Sequence, residues 1–527
     1  MTQHTTFYRK ITYLVLIALL LFPISRLGAP ATRDRDDMGG VLAQLRNEHE
    51  LGQSDLGEID PASETIRLAT LGMRGIAVSL LWNKANEYKK KEDWTSFRAT
   101  LAQLARLQPY FISFWRYQAW NLSYNVSVEL DDVRDRFYYV KRGIEFLKEG
   151  IKYNRDNHYL LSDLGWFLGN KIGRADEHVE YRRLFKADTD FHPEDRPPEL
   201  RDNWLVSKVW YQEAVSTVDD KKRSLGNRNP TTFFDKPAMA QINYSMAIEE
   251  EGIFGEKARA AWAAGAREWD IYGNREMLST RGTILQLASY ERWQKDTEQL
   301  KAQLEELVPT AREEIVAEQR GAFSEDLAAA LDMTDEQIGV DTDKYRLRSE
   351  ARKRLEVGPL DLLNYIIKHS PENVRAARKI VNRIDENEDQ LFLLRSNRQT
   401  ANYDFWEGRC ELEQTTEALR AHELAYTAGR EFEDGDLIKA RRLYEESLEL
   451  WAKVLELFPE MAESSITGTD IMEFIKDYAA VLEQLEMTIA DDGILEKFPL
   501  WQIVEEHDNE LLFSEELEKH RQHEQEK

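Results

Sequence analysis

Residues 133–151, VRDRFYYVKRGIEFLKEGI, set Val133, Phe137, Val140, Ile144, Leu147 and Ile151 at alternating steps of four and three. That spacing closes on a helix of about 3.6 residues per turn, so six apolar side chains share one stripe. Arg134, Asp135, Lys141 and Glu145 point elsewhere. A helix with one apolar stripe buries it against a second element, which makes this stretch half of a packed pair. The same periodicity runs from Thr65 to about Asn509 with almost no strand-type alternation. The expected fold class is therefore all-α.

Composition supports a folded and acidic protein. Hydrophobic residues make up 42% and aromatics 10% of 527 residues, enough for packed cores. Asp and Glu number 96 against 70 Lys and Arg, a formal charge of -26. Such a field repels phosphate backbones, and the basic clusters at 89–91 and 221–223 are short and sit beside acids, so no nucleic-acid partner is expected. Cys410 is the single cysteine, which excludes intrachain disulfides and multi-cysteine metal sites. Cysteine poverty suits an oxidising compartment, and Cys410 reads as a small core residue.

The amino terminus carries Arg9 and Lys10 followed by the uncharged run Ile11–Ile24. This is the pattern of a secretory signal or of a short uncleaved anchor, with the span extended to residues 11–28 if Arg26 snorkels. Ala29-Pro30-Ala31 offers a small-residue cleavage site, and both readings stay open. Either one exports the body of the chain. The expected location is the bacterial cell membrane, single-pass with an extracytoplasmic body, or the periplasm or exterior after cleavage.

Residues 425–459, AYTAGREFEDGDLIKARRLYEESLELWAKVLELFP, resemble a tetratricopeptide repeat (TPR), with Gly435, Ala440, Tyr444 and Ser447 at the family's turn, small, aromatic and small positions. Divergent versions are read around Leu81, Ala85 and Tyr88, around Trp115 and Ala119, around Leu164-Gly165, and at Gly252, Ala258, Trp262 and Gly265, while Phe97 and Glu92 depart from the pattern. The resemblance implies stacked helical hairpins, a TPR-like α-solenoid, after an N-terminal membrane segment. LQPYFISFWRYQAWNLSYNVSVE (107–129), YVKRGIEFLKEG (139–150), DLGWFLGNKIG (163–173) and NYDFWEGRCELEQT (402–415) further resemble a family of large membrane-anchored proteins of planctomycete-type bacteria. That likeness implies a lineage and an architecture and no activity.

The organisation expected is a leader at 1–31, a polar linker at 32–62, TPR-like repeats at 63–275, a charged helical middle region at 276–400, a second TPR-like region at 401–509 and a charged, fraying tail at 510–527. In the middle region Leu300, Leu304, Leu307 and Ala311 share a face before and after a break at Pro309, and Ser370 with Pro371 starts a helix. Residues 193–202 and 226–237 read as loop insertions.

Candidate chemistry is sparse. His158, Asp163, Asp176, Glu177, His178 and His192 fall in one window around GRADEHVEYRR, but without metal-ligand spacing, and a polar network between helices is the default reading. Nucleophile-elbow, phosphate-loop, dinucleotide and haem-attachment motifs are absent, so no catalytic, cofactor or metal residue is assigned and no cofactor is expected. Trp82, Trp94, Trp115, Trp120, Trp166, Trp204, Trp210, Trp262 and Trp269 either line a groove for an extended peptide or glycan or wedge stacked hairpins, and their apolar stripes favour wedges. NLS at 121–123 and NVS at 125–127 spell glycosylation sites. The stripes Tyr117/Trp120/Tyr124 and Trp115/Leu122/Val126 instead place this segment in a core, with Asn121 and Asn125 as buried amides. The expected function is a membrane-tethered, non-catalytic scaffold for protein partners. The alternatives are an exported helical enzyme acting on envelope glycans and a cell-envelope assembly factor.

Overall fold

The computed structural model describes residues 74–526 apart from 280–281, 339–340 and 492, together with Tyr13, Val15, Leu16 and Leu19, which are helical. The remainder of the expected leader and all of the 32–62 linker lie outside the described residues. Among the described residues no helix is long and apolar enough to cross a membrane.

The fold is all-α, with one two-residue antiparallel strand pair, β1 (Met277–Leu278) and β2 (Ile284–Leu285). The chain divides into two compact units, 1–226 with 236–251, and 227–235 with 252–527.

The first unit is built from α1 (Arg74–Lys90), α2 (Trp94–Leu107), α3 (Ile112–Trp120), α4 (Val133–Tyr153), α5 (His158–Trp166), α6 (His178–Ala187), α7 (Asn203–Asp220) and α8 (Lys236–Glu250). Helix α1 packs on α2, α3 on α4, and α7 on both α5 and α8. Side-chain caps start several of them. Asp93 accepts from the Ser96 amide at α2, Asp132 from the Arg134 amide at α4, and Asp202 from the Trp204 amide at α7.

The predicted stripe of α4 is buried as expected, from Phe137 to Ile151. Its partner is held close by missing side chains. A Cβ at Gly150 would fall 2.6 Å from Cγ of Trp115, and one at Gly143 2.7 Å from the Ala119 carbonyl. Trp115 fills that notch with 0% exposure and donates its indole N–H to the Pro109 carbonyl at 2.8 Å. A second glycine row, Gly165, Gly169 and Gly173, faces Tyr211 and Trp204 of α7 in the same manner.

In the second unit, α9 (Glu256–Gly273) is followed by α10 (Tyr290–Glu306), α11 (Ala311–Gly321), α12 (Glu325–Asp332), α13 (Thr342–Arg354), α14 (Pro359–His369) and α15 (Val374–Ala401). Leu300, Leu304, Ala311 and Ile315 join one core with Ile366, Val381 and Ile384, and Pro309 lies at the expected break. Ser370 precedes Pro371 but makes no side-chain capping bond, and a single 3-10 turn at Pro371–Asn373 leads into α15. Helices α16 (Tyr403–Leu412), α17 (Thr416–Glu433), α18 (Leu437–Leu457), α19 (Ser465–Gln484), α20 (Trp501–His507) and α21 (Ser514–Glu526) complete it. The α17–α18 hairpin turns at Gly435 with φ of +85°, and Ala440, Tyr444 and Ser447 are buried.

Two expectations change. The 226–237 insertion is a docked element: the short helix Pro230–Phe234 buries Thr231 and Phe233, and Tyr272 donates its hydroxyl to the Thr231 carbonyl at 2.9 Å. The tail is also anchored rather than fraying, because His520 stacks on Trp501 at 4.5 Å and Arg521 pairs with Glu505.

The Trp115 notch gives a direct test. Gly150→Ala should destabilise the protein by about 1–3 kcal/mol, because an indole root must shift to admit a methyl group. Thermal unfolding should show a Tm lower by several degrees. Gly321→Ala, where a Cβ meets nothing within 4 Å, should stay within about 0.5 kcal/mol of the parent protein.

Candidate binding surface

Helix α3 does not stop at Trp120 but continues through a π-helical turn, Asn121–Val126, and α5 runs likewise into a π-helical turn at Phe167–Lys171. Such wide turns leave carbonyls poorly satisfied along the axis, so side chains must serve them. Asn203 donates its amide to the Leu168 and Gly169 carbonyls at 3.0 and 3.3 Å, and Ser207 donates to the Gly165 carbonyl at 2.6 Å. In the first turn Ser127 donates to the Ser123 carbonyl at 2.6 Å.

The two turns bring aromatic rings together. Trp120, Tyr124 and Trp166 lie nearly parallel, with centroids 4.1 Å apart for the first pair and 5.5 to 5.6 Å for the others, and Phe167 meets Tyr124 edge-on. Lys171, buried, places its ammonium 4.7 Å from the Tyr124 ring. Burial raises the Tyr124 phenol well above its usual range and lowers the Lys171 ammonium, against which Glu177 acts. Further along α3, Tyr117 meets Trp82 of α1 at 6.0 Å.

This surface corrects part of the sequence reading. The stripe of Trp115, Leu122 and Val126 is buried, but Tyr117 is 53% and Trp120 43% exposed, because α4 covers one side of α3 only. Asn121 is buried at 2% exposure, and its side-chain oxygen accepts from Lys89 at 2.7 Å and from Asn125 at 3.0 Å. Asn125 is exposed and not a buried amide. Among the other tryptophans, Trp115, Trp204, Trp262 and Trp269 are buried wedges, and Trp82, Trp94, Trp166 and Trp210 are half-buried.

The window around GRADEHVEYRR is spent on separate contacts. Asp163 pairs with Arg116, Glu177 with Arg136, and His178 Nδ1 and His192 Nε2 meet the carbonyls of Ala175 and Phe185. Buried His158 stacks on Tyr159, and Asp176 is exposed.

A second candidate lies in the other unit, where α9 meets α16. A groove of about 520 Å³ is lined by Arg267, Asp270, Glu407 and Glu411 over a floor of Trp269 and Cys410. Burial raises the Glu407 carboxyl above its usual range despite a hydrogen bond donated by the Tyr403 hydroxyl at 3.2 Å. Burial also pushes the Cys410 thiol up to about 12, so it is protonated and a poor nucleophile at neutral pH. The raised Glu407 carboxyl is a feature that residue spacing alone could not reveal.

No protein-family model matches the chain, and no curated protein matches it. The contrast between the two asparagines is measurable. Asn121→Ala removes the acceptor shared by Lys89 and Asn125 and should lower stability by about 1–3 kcal/mol. Asn125→Ala should stay within about 0.5 kcal/mol of the parent protein, read by thermal or denaturant unfolding.

Proposed function

We propose that this protein is a non-catalytic helical-repeat scaffold, tethered at the membrane with its body outside the cytoplasm, that binds protein partners through the open aromatic face of α3. The observation that carries the reading is the exposure of Tyr117 and Trp120 beside a stack of rings already held in place. Large rigid aromatics supply contact area at little conformational cost, which is why they concentrate at the centre of protein interfaces. The repeat reading draws support from the α17–α18 hairpin, where the turn glycine and the buried small and aromatic residues occupy the positions of a TPR. The export reading rests on the charge and apolar pattern of residues 9–24.

The test is photo-crosslinking in native membranes from a probe amino acid placed at Tyr117. Defined protein adducts are expected, and Trp120→Ala in the same background should reduce them at least tenfold while leaving the fold intact by circular dichroism. Absence of adducts, or adducts indifferent to Trp120→Ala, would remove this surface as the docking site.

A second reading, an exported enzyme acting on envelope glycans, draws on the acidic groove of the other unit, where Glu407 holds a proton more firmly than an ordinary glutamate. On that reading the full chain releases reducing ends from envelope glycan, and Glu407→Gln abolishes the release. Failure to release any product sinks it.

A further inference from the structure

In the unit of residues 227–235 with 252–527, the groove between α9 and α16 carries its charges in a fixed order. The two helices run antiparallel. Trp269, near the end of α9, donates its indole N–H to the carbonyl of Tyr403, the first residue of α16, at 3.1 Å. Arg259, near the start of α9, donates to the hydroxyl of Thr416, beyond the end of α16, at 3.2 Å. Counting away from Tyr403, Asp270 and Glu407 therefore stand at one level, and Arg267 and Glu411 stand at the next, about one helical turn on. Glu407 and Glu411 lie about 6 Å apart along the helix axis. One end of the groove is purely acidic, and the other holds a guanidinium and a carboxylate.

All four charged side chains are exposed, and none forms an ion pair with a described residue. Asp270 accepts from the Asn274 amide at 2.8 Å and Glu407 from the Tyr403 hydroxyl at 3.2 Å, which leaves each carboxylate its second oxygen. The floor between the two levels is Ala266, Trp269 and Cys410. The Cys410 thiol, on a residue 1% exposed, has no hydrogen-bond partner among the described residues. The oxygens of Asp270, Glu407 and Glu411 do not all come within 4.8 Å of one another, so they do not close on a single metal ion. The groove's volume of about 520 Å³ instead falls within the range of small-molecule sites, about 300–1,000 Å³.

We propose that this groove is a binding site for a diamino acid of the lysine type. The order of charges is what selects that class. Arg267 receives the carboxylate on its planar guanidinium fork, Glu411 beside it receives the α-ammonium, and Asp270 with Glu407 receives the side-chain ammonium one turn away. The methylenes between the two ammonium groups lie over Trp269 and Cys410. A simple diamine would leave Arg267 without a counterion, and an amino acid with an apolar side chain would leave the acidic end without one. The proposal goes beyond both readings of the function, and neither the aromatic face nor glycan release enters its test.

Calorimetry on the full chain in detergent, with free lysine titrated at neutral pH and constant ionic strength, tests this. Saturation at a single lysine per chain is expected. Cadaverine, which lacks the carboxylate, and norleucine, which lacks the side-chain ammonium, should each bind about tenfold more weakly. Arg267→Gln should lower lysine to the level of cadaverine and leave cadaverine unchanged, which also reports an intact fold. Asp270→Asn should lower lysine to the level of norleucine and leave norleucine unchanged. Glu411→Gln should weaken lysine and norleucine alike, and Glu313→Gln, at an exposed position of α11, should match the parent protein. Absence of a saturable heat, cadaverine or norleucine binding as tightly as lysine, or Arg267→Gln keeping the preference of the parent protein would each overturn the proposal.

Discussion

The seating of large aromatic rings on glycine backbones is the constraint that sets the helix packing. Where Trp115 meets Gly150, a Cβ would stand 2.6 Å from the indole, so this crossing distance exists only because the side chain is missing. Trp204 and Tyr211 use Gly165, Gly169 and Gly173 in the same way. The other unit repeats the arrangement with Tyr426 against Gly252 and Tyr403 against Gly273. Dispersion summed over such contacts offsets the roughly 1 kcal/mol that a mid-helix glycine costs in chain entropy. Close approach also brings side chains such as Ser207 and Asn203 within reach of a neighbouring helix's carbonyls. The wide helical turns depend on that reach.

Charge is organised around buried cations. Arg182 lies within hydrogen-bonding distance of Asp202, Asn203 and Glu251, joining the middle of α6 to the start of α7 and the end of α8 through one guanidinium. In the other unit Glu413 is fully buried between Arg409 at 2.7 Å and His422 at 3.0 Å. Burial alone would raise the Glu413 carboxyl; the His422 and Arg409 charges reverse this and hold it below the usual carboxylate range. Breaking one member of such a set leaves a charge without its counterion, a cost of about 3–5 kcal/mol. These sets therefore fix helix register more than they add net stability.

The stripe of α4 was legible because alternate steps of four and three admit one geometry, whereas Ala440, Tyr444 and Ser447, which are buried, were picked out only by the resemblance of residues 425–459 to a TPR. The face of α3 was half legible. Two apolar stripes on one helix imply two coverings, but α4 supplies only one, and no pattern within residues 112–128 states how many neighbours will arrive. The loop at 226–237 misled through its composition: Gly, Asn and Pro announce a turn, while Thr231 and Phe233 within it are anchors whose pockets come from distant residues such as Asn397 and Tyr272.

The two π-helical turns bear on how the aromatic face could work. A wide turn is less favourable than regular helix and persists only when its surroundings determine it. Here Asn203 and Ser207 serve the carbonyls around the second turn, and Asn121 at the head of the first accepts from Lys89, a residue of another helix. Trp120 and Tyr124 straddle the start of the first turn, and Trp166 and Phe167 straddle the start of the second. Ring positions are thus set by backbone that the rest of the unit already restrains, with Lys171 beneath Tyr124. A ligand meeting Trp120 would order few side chains on arrival, and the cost of about 0.5–1.5 kcal/mol for each immobilised side chain is largely met in the free protein. Preorganisation of this kind is what the proposed docking role of this face would require.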